Sequence, residues 1–161
     1  MTNLNNIFNP LFLKNKELKI AFELLFFAIK DFDRNISFLL KKFGYNKTHF
    51  AVIFLASNNY YLTIKDLLII LDIKKQSLSK IINKLKSDEI ITLKKSKKDK
   101  RNKNIYLTKK GLKIEKKITS KQINNIANAY KNAGKDSING FKKILLNLLS
   151  KTSKTILRKK I

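Results

Sequence analysis

Two short helical segments separated by a three-residue break are the feature that most constrains the fold of this chain. The first follows Thr63–Asp66, which has the spacing of a capping box with Asp in place of the usual Glu. After the break at residues 72–74, apolar side chains recur at helical i, i+3, i+4 and i+7 positions, namely Leu78, Ile81, Ile82 and Leu85. The opposite face of this second segment is polar and basic. The pattern predicts a helix-turn-helix.

Two short runs rich in β-branched and aromatic residues follow, over residues 90–93 and 104–107. Between them lies the most basic stretch of the chain, KKSKKDKRNK over residues 94–103. This arrangement predicts a two-stranded hairpin with a charged tip. A hairpin that directly follows a helix-turn-helix gives a winged helix-turn-helix.

An apolar stripe with alternating spacings of four and three residues predicts a long first helix over residues 18–43. Asn9 and Pro10 suit its beginning, and Gly44 suits its end. The stripe is broad enough to bury two sides, which favours contact with a partner subunit. Three further helices are expected, over residues 47–57 behind Asn46, 109–131 behind Thr108 and 136–149 after a break at Gly134, with a polar, basic tail from residue 151.

The expected fold class is therefore mainly α with a small β-hairpin wing. A winged helix-turn-helix DNA-binding domain over residues 46–111 is flanked by dimerisation helices, one over 1–45 and the others over 112–161. No Gly-, Ser- or Pro-rich linker divides the sequence, so these regions are expected to form one compact chain.

The formal net charge of +25 indicates a polyanionic partner, although much of the abundant lysine can be background on solvated helix faces. The charge divides into +4 over residues 1–62, +10 over 63–111 and +11 over 112–161. Without cysteine and with only His49, the chain has no thiolate or His-pair metal site, and His49 is expected to pack against a helix. Its four glycines form no phosphate-binding loop. We expect no enzymatic activity, no metal and no cofactor.

The first residues, MTNLNNIFNPLF, lack the basic and apolar regions of a signal peptide. The longest apolar runs, over residues 51–56 and 67–71, are far shorter than the roughly 20 residues that a membrane span requires. The sequence therefore predicts a soluble, cytoplasmic protein.

The stretch from Thr63 to Gly111 resembles the MarR family of bacterial transcription regulators. Asp99-x-Arg101, five further residues and Leu107-Thr108-x-x-Gly111 are similar in identity and spacing to the family's D-x-R-x5-L-T-x-x-G wing pattern. The order of elements also agrees, from the long first helix to the closing helices. Within the family, the segments LLFFAIKDF and AYKNAGKDSINGFKKIL resemble a PetP-like alphaproteobacterial branch.

Two positions depart from the family pattern. Glu89 stands where the family often has Gly at the end of the recognition helix, so we expect the backbone to leave that helix by another route. Lys74 stands at an N-cap that is often Ser or Thr, which forfeits about 1 kcal/mol of capping.

The resemblance implies a homodimer on a pseudo-palindromic operator in double-stranded DNA, with the recognition helix in the major groove and the wing in the minor groove. It makes Arg101 the minor-groove reader and Asp99 its orienting acid; the alternative is a salt bridge within the loop. Gln76 suits adenine, and Lys75 or Lys80 suits guanine or phosphate, although each could equally be an exposed polar residue.

The expected recognition-helix residues are Lys74, Lys75, Gln76, Ser77, Ser79, Lys80 and Asn83. The expected wing residues are Lys94, Lys95, Lys97, Lys98, Asp99, Lys100, Arg101 and Lys103. The expected dimerisation residues are Leu18, Phe22, Leu25, Phe141, Leu145 and Leu148.

Two points stay open at this stage. A small-molecule effector could occupy a pocket between the dimer helices and the winged domain, as is frequent in the family. The residues considered for its lining are Phe22, Phe26, Phe50 and Phe54, whose ordinary role would be packing. The alternative function is that of a non-specific nucleoid-associated or RNA-binding basic winged-helix protein.

Overall fold

The structure, a computed structural model, describes residues 13–58, 61–95 and 103–158. Its elements in chain order are α1 (Asn15–Lys42), α2 (Lys47–Ser57), α3 (Ile64–Leu71), α4 (Lys75–Ser87), β1 (Ile91–Lys95), β2 (Lys103–Leu107), α5 (Lys109–Leu148) and α6 (Lys151–Arg158). Helices joined to one antiparallel hairpin confirm the predicted fold class.

Side-chain caps begin the short helices where the sequence predicts them. The Asn46 side chain accepts hydrogen bonds from the backbone N–H groups of Thr48 and His49 at 3.0 and 3.1 Å. At the start of α3, Thr63 Oγ1 accepts from the Asp66 N–H, and Asp66 Oδ2 accepts from the Thr63 N–H. These reciprocal bonds satisfy N–H groups that the helix itself leaves without acceptors.

The core lies where α2, α3, α4 and the hairpin meet. Its fully buried side chains include Val52, Ile53, Leu67, Leu78, Leu85 and Ile105. The short segment at Leu62 and Thr63, just before α3, lies beside β2. The Ile105 N–H donates to the Leu62 carbonyl at 2.8 Å, and this bond holds the hairpin to the helices. This packing fixes the helix-turn-helix and the wing as one unit.

The outer helices can be compared with the sequence-based prediction over the described residues. The proposed start at Asn9 and Pro10 lies outside the described residues, and α1 begins at Asn15. Gly44 ends α1 with φ +71°, as expected. The polar, basic tail from residue 151, for which the sequence analysis names no separate helix, forms α6. Ser150 Oγ accepts from the Ser153 N–H at 3.1 Å and begins that helix.

Gly134 divides α5 into two helical segments. Its φ of +76° and ψ of 166° interrupt the helix between residues 109–133 and 135–148. Such a conformation is open to glycine at little cost, which confirms the break predicted at this position.

Candidate nucleic-acid interface

Helix α4 has one buried apolar face and one exposed polar face. Leu78, Ile81, Ile82 and Leu85 are buried in the core. All seven residues predicted to read DNA are exposed and lie on or beside this helix: Lys74, Lys75, Gln76, Ser77, Ser79, Lys80 and Asn83. The fold therefore brings them to one surface. As predicted, Lys74 gives α4 no side-chain cap.

A hydrogen-bond network fixes the far end of α4. Tyr45 donates to Asp88 Oδ2 at 2.8 Å, and Lys84 Nζ donates to Asp88 Oδ1 at 3.0 Å. The bond from Lys84, followed by the bond from Tyr45, lowers the pKa of the Asp88 carboxyl. Burial, reinforced by Asp88, raises the pKa of the Tyr45 phenol. The end of α4 is thus tied to the turn between α1 and α2.

The base of the wing carries cations that face one another. Lys95 of β1 is paired directly with Lys103 of β2, and both side chains are exposed. The Lys94 ammonium lies 5.5 Å from the centroid of the Tyr106 ring. Like charges on directly opposed strand positions are destabilising, so an anion bound here would relieve the repulsion.

Beyond this base, the predicted wing residues Lys97, Lys98, Asp99, Lys100 and Arg101 lie outside the described residues. The assignment of Arg101 to the minor groove and of Asp99 to its orientation therefore stays a prediction.

The exit from α4 corrects one expectation. The prediction that the backbone leaves α4 by a path other than the one a Gly would provide is wrong. Glu89 itself adopts the left-handed conformation, with φ +59°. Thr108 Oγ1 donates to the Glu89 carbonyl at 2.6 Å and accepts from the Gly111 N–H at 3.0 Å. An added Cβ at Gly111 would overlap the Ile90 carbonyl oxygen. The Thr-x-x-Gly pattern thus clamps α5 to the start of the wing.

The predicted dimerisation residues are apolar surface in the single chain. Phe22 is 73% exposed and Leu148 is 64% exposed. Leu18, Phe141 and Leu145 are also exposed, and Leu25 is half-buried. Of all α1 residues, only Leu40 is buried. So much exposed apolar surface on one helix is typical of a protein-protein contact.

A cavity of about 300 Å³ lies between α1, α2 and α5. Its lining is Phe32, Ile36, Phe50, Phe54, Thr119, Gln122, Ile123 and Ile126, which includes two of the four aromatic residues considered from the sequence but neither Phe22 nor Phe26. Gln122 is only 7% exposed, and within the described residues its amide has no hydrogen-bond partner. Sequence reasoning missed Gln122, although its spacing of four from buried Ile118 was an available signal.

His49 is a half-buried packing residue, as predicted. Its ring stacks on Tyr45 with centroids 5.3 Å apart, and Nδ1 lies 2.7 Å from Asn46 Oδ1. Burial lowers the pKa of the imidazole, the Lys84 charge lowers it further, and Asp88 opposes both effects.

Across the ranges 13–58, 61–95 and 103–158, no cluster of His, Asp and Glu is arranged to hold a metal ion. In those same ranges no helix has the length and apolar character needed to cross a membrane.

The two-faced α4 and the cationic hairpin define a winged helix-turn-helix of the DNA-binding class. A crystal structure of the transcription regulator MarR from Oenococcus oeni superposes with a TM-score of 0.60 at 25% identity, covering 80% of this chain and 97% of the other. A MarR mutant from E. coli, solved in complex with operator DNA, superposes with a TM-score of 0.56 at 19% identity, covering 88% and 100%.

Sequence comparisons agree with this class of protein. A family model described as MarR family matches residues 36–102. The HTH-type transcriptional regulator PetP from Rhodobacter capsulatus is 29% identical over 135 residues, covering 84% of this chain and 81% of that protein. The predicted resemblance of this chain to the MarR family of transcriptional regulators, and to PetP within it, is confirmed.

Proposed function

We propose that this regulator is a cytoplasmic homodimer that recognises a pseudo-palindromic operator in double-stranded DNA. In this proposal α4 enters the major groove and the wing enters the adjacent minor groove. The observation that carries it is the division of α4 into a buried apolar face and an exposed polar, basic face. Residues near the N-terminus of a recognition helix contact base edges in this docking geometry.

The chemistry of the exposed face suits both base and phosphate contacts. Gln76 can pair with adenine through two hydrogen bonds, and Lys75 or Lys80 can bind guanine or phosphate. Ser77 and Ser79 are short donors for a phosphate or a base edge. In the wing, Arg101 reads the minor groove with Asp99 as its orienting acid, and the surrounding lysines bind phosphates.

Dimerisation through residues 1–45 and 112–161 would cover the exposed apolar side chains of α1 and of the second half of α5. Phe22 and Phe141 belong to this apolar surface. A two-fold axis would place two winged domains, each over residues 46–111, on half-sites about one helical turn of DNA or a multiple of it apart. A monomer in sedimentation equilibrium at micromolar concentration would contradict this part of the proposal.

Selection of bound duplexes from a random pool tests the proposed specificity. We expect an inverted repeat, bound at least ~10³ times more tightly than random duplex at physiological salt. A ratio near one, or equal binding of RNA, would instead favour a non-specific nucleoid-associated or RNA-binding protein.

Substitution Arg101→Ala tests the wing separately. Binding of the selected duplex in a gel shift should weaken while the dimer persists in sedimentation. Unchanged binding by Arg101→Ala would show that Arg101 makes no contribution to the DNA interface and would contradict the wing assignment. Lys131→Gln, which deletes a cation on α5, serves as the control.

The cavity between α1, α2 and α5 supports a small-molecule effector. Its lining is apolar apart from Thr119 and Gln122 and contains no charged side chain. A buried amide without partners favours a ligand that offers both a donor and an acceptor. The proposed effector is therefore a neutral, largely apolar molecule with an amide-like edge.

A thermal-shift screen of aromatic amides and aromatic carboxylates tests this effector class. Neutral amides should raise the melting temperature of the wild type and change its affinity for DNA. Gln122→Leu fills a similar volume without polar atoms, so it should abolish the response. A response confined to carboxylates, or one preserved in Gln122→Leu, would contradict the proposed chemistry.

A further inference from the structure

The cavity between α1, α2 and α5 has both exposed and buried lining residues. Ile123, which is 58% exposed, and Phe54, which is also exposed, line its open part. Thr119 is only 5% exposed, and both polar atoms of the Gln122 amide lie out of contact with solvent. A ligand that bonds to this amide must therefore displace part of the wall around it.

Helix α1 supplies the wall that can move. Phe32 and Ile36, four residues apart, line the cavity from one face of this helix. Asp33 and Asn35 lie on the two flanks of that face by helical periodicity. Each flank carries a polar side chain that can bond to a neighbouring helix.

The two flanks of α1 are bonded to different helices. On one flank, Lys47 Nζ at the start of α2 donates to Asp33 Oδ2 at 2.6 Å. On the other flank, Lys121 Nζ of α5 donates to Asn35 Oδ1 at 3.1 Å. Both lysine side chains are exposed, so these bonds compete with water and hold α1 weakly. Since Leu40 is the only buried residue of α1, the helix can shift without exposing much of the core.

We propose that the Asp33–Lys47 and Asn35–Lys121 bonds are two clasps that hold α1 against α2 and α5 and so control access to Gln122. Release of the clasps lets α1 move away from the other two walls, and a neutral ligand then reaches the amide. Re-formation of the clasps retains the ligand. The inference rests on the proposed effector site and adds the means of entry to it.

A thiol placed at the buried part of the cavity gives the first test. The chain has no cysteine, so Thr119→Cys provides a unique reporter. Ser120→Cys, one position along and exposed, gives the rate for a freely accessible thiol. N-ethylmaleimide, which is uncharged, should label Thr119→Cys at least ~10 times more slowly than Ser120→Cys, because labelling of the buried thiol requires local opening.

Loss of either clasp should speed the labelling of Thr119→Cys. Lys47→Met and Lys121→Met keep an apolar stem but remove the donor, and each should raise the rate about two- to fivefold, as expected for release of one exposed polar link. Neither substitution should change the rate at Ser120→Cys. Lys131→Met is the matched control, because Lys131 is an exposed residue of α5 outside the cavity lining.

Three results would overturn the clasps. The first is unchanged labelling of Thr119→Cys in both clasp variants, and the second is an equal increase in Lys131→Met. The third is a steep rise of the labelling rate in dilute urea, since that dependence indicates global unfolding and not the movement of one helix.

Protection by benzamide, a neutral aromatic amide, separates the clasps from the proposed effector site. If both proposals hold, benzamide should slow the labelling of Thr119→Cys. Faster labelling of the clasp variants without protection by benzamide would support the clasps and count against the effector chemistry alone, because the labelling itself requires neither effector nor DNA.

Discussion

The Tyr45 hydroxyl donates a 2.8 Å hydrogen bond to the Asp88 carboxylate, which joins the turn after α1 to the residue that ends α4. The two residues are 43 positions apart in the sequence. Lys84 binds the other carboxylate oxygen. One carboxylate thus fixes α4, the proposed recognition helix, relative to α1, the helix proposed to form the dimer.

Removal of the phenol should loosen this connection. Tyr45 is buried, so Tyr45→Phe should lower the free energy of unfolding by about 1 kcal/mol, the typical loss for one hydrogen bond. Urea unfolding measures the change. Tyr130→Phe is the matched control, because among the described residues Tyr130 has a ring contact with Phe141 but no hydroxyl hydrogen bond. Equal effects of the two substitutions would show that the Tyr45 hydrogen bond contributes nothing.

The same carboxylate predicts an acid-sensitive contribution to stability. Because the pKa of Asp88 is lowered in the folded protein, its contribution is present above the unfolded pKa of about 3.9 and is lost as the pH falls through the folded value. Asp88→Asn should destabilise the protein at pH 7, and the difference from wild type should shrink toward pH 3. Urea unfolding at both pH values checks this. A difference that stays constant with pH would contradict it, and Asp31→Asn, which breaks only an exposed pair with Arg34, is the control.

Glu89 holds a left-handed conformation that costs an ordinary L-residue about 1–2 kcal/mol. Gly adopts it freely but loses more backbone entropy on folding, so Glu89→Gly should stabilise the protein by a net ~0.5–1 kcal/mol. The Thr108 bond is made to the backbone carbonyl at this position and should persist. Thermal unfolding measures the gain, and Glu89→Ala, which keeps a Cβ, should not reproduce it. A loss of stability in Glu89→Gly would show that the carboxylate makes a larger contribution than the strain.

Gly111 should tolerate no side chain. The methyl group of Gly111→Ala would overlap the Ile90 carbonyl oxygen, so we expect a loss of about 1–3 kcal/mol, typical of overpacking. Gly140 is also helical but has open space around an added Cβ. Gly140→Ala should therefore be neutral or stabilising, by up to about 1 kcal/mol. Denaturant unfolding of both variants compares them, and a neutral Gly111→Ala would disprove the close approach.

Much of the fold could be predicted because its signals are local. The capping box at Thr63, the stripe around Leu78 and the Gly134 break each depend on neighbours within a few positions. The Glu89 conformation was missed because the usual signal, a glycine, is absent while the surrounding fold still imposes the left-handed turn. The helix α6 was missed because Ser150 was not recognised as its cap.

The candidate site was only partly predictable for a different reason. The exposed residues of α4 follow from helical periodicity, so the exposure of Gln76 and Lys80 on that helix could be predicted from sequence. The cavity with Gln122 forms only where helices distant in the sequence meet. No local pattern encodes such a meeting, and only three-dimensional packing reveals it.

The exposed apolar surface of α1 makes the proposed dimer part of the folding equilibrium. Burial of residues such as Phe22 against a second chain would supply stability that a lone chain lacks, so the fraction of intact protein would depend on its concentration. Synthesis would then need to pass a threshold before the operator is occupied. Dilution of the protein during cell growth would lower its binding to DNA. It would also shorten the lifetime of the protein, because single chains would be open to proteolysis.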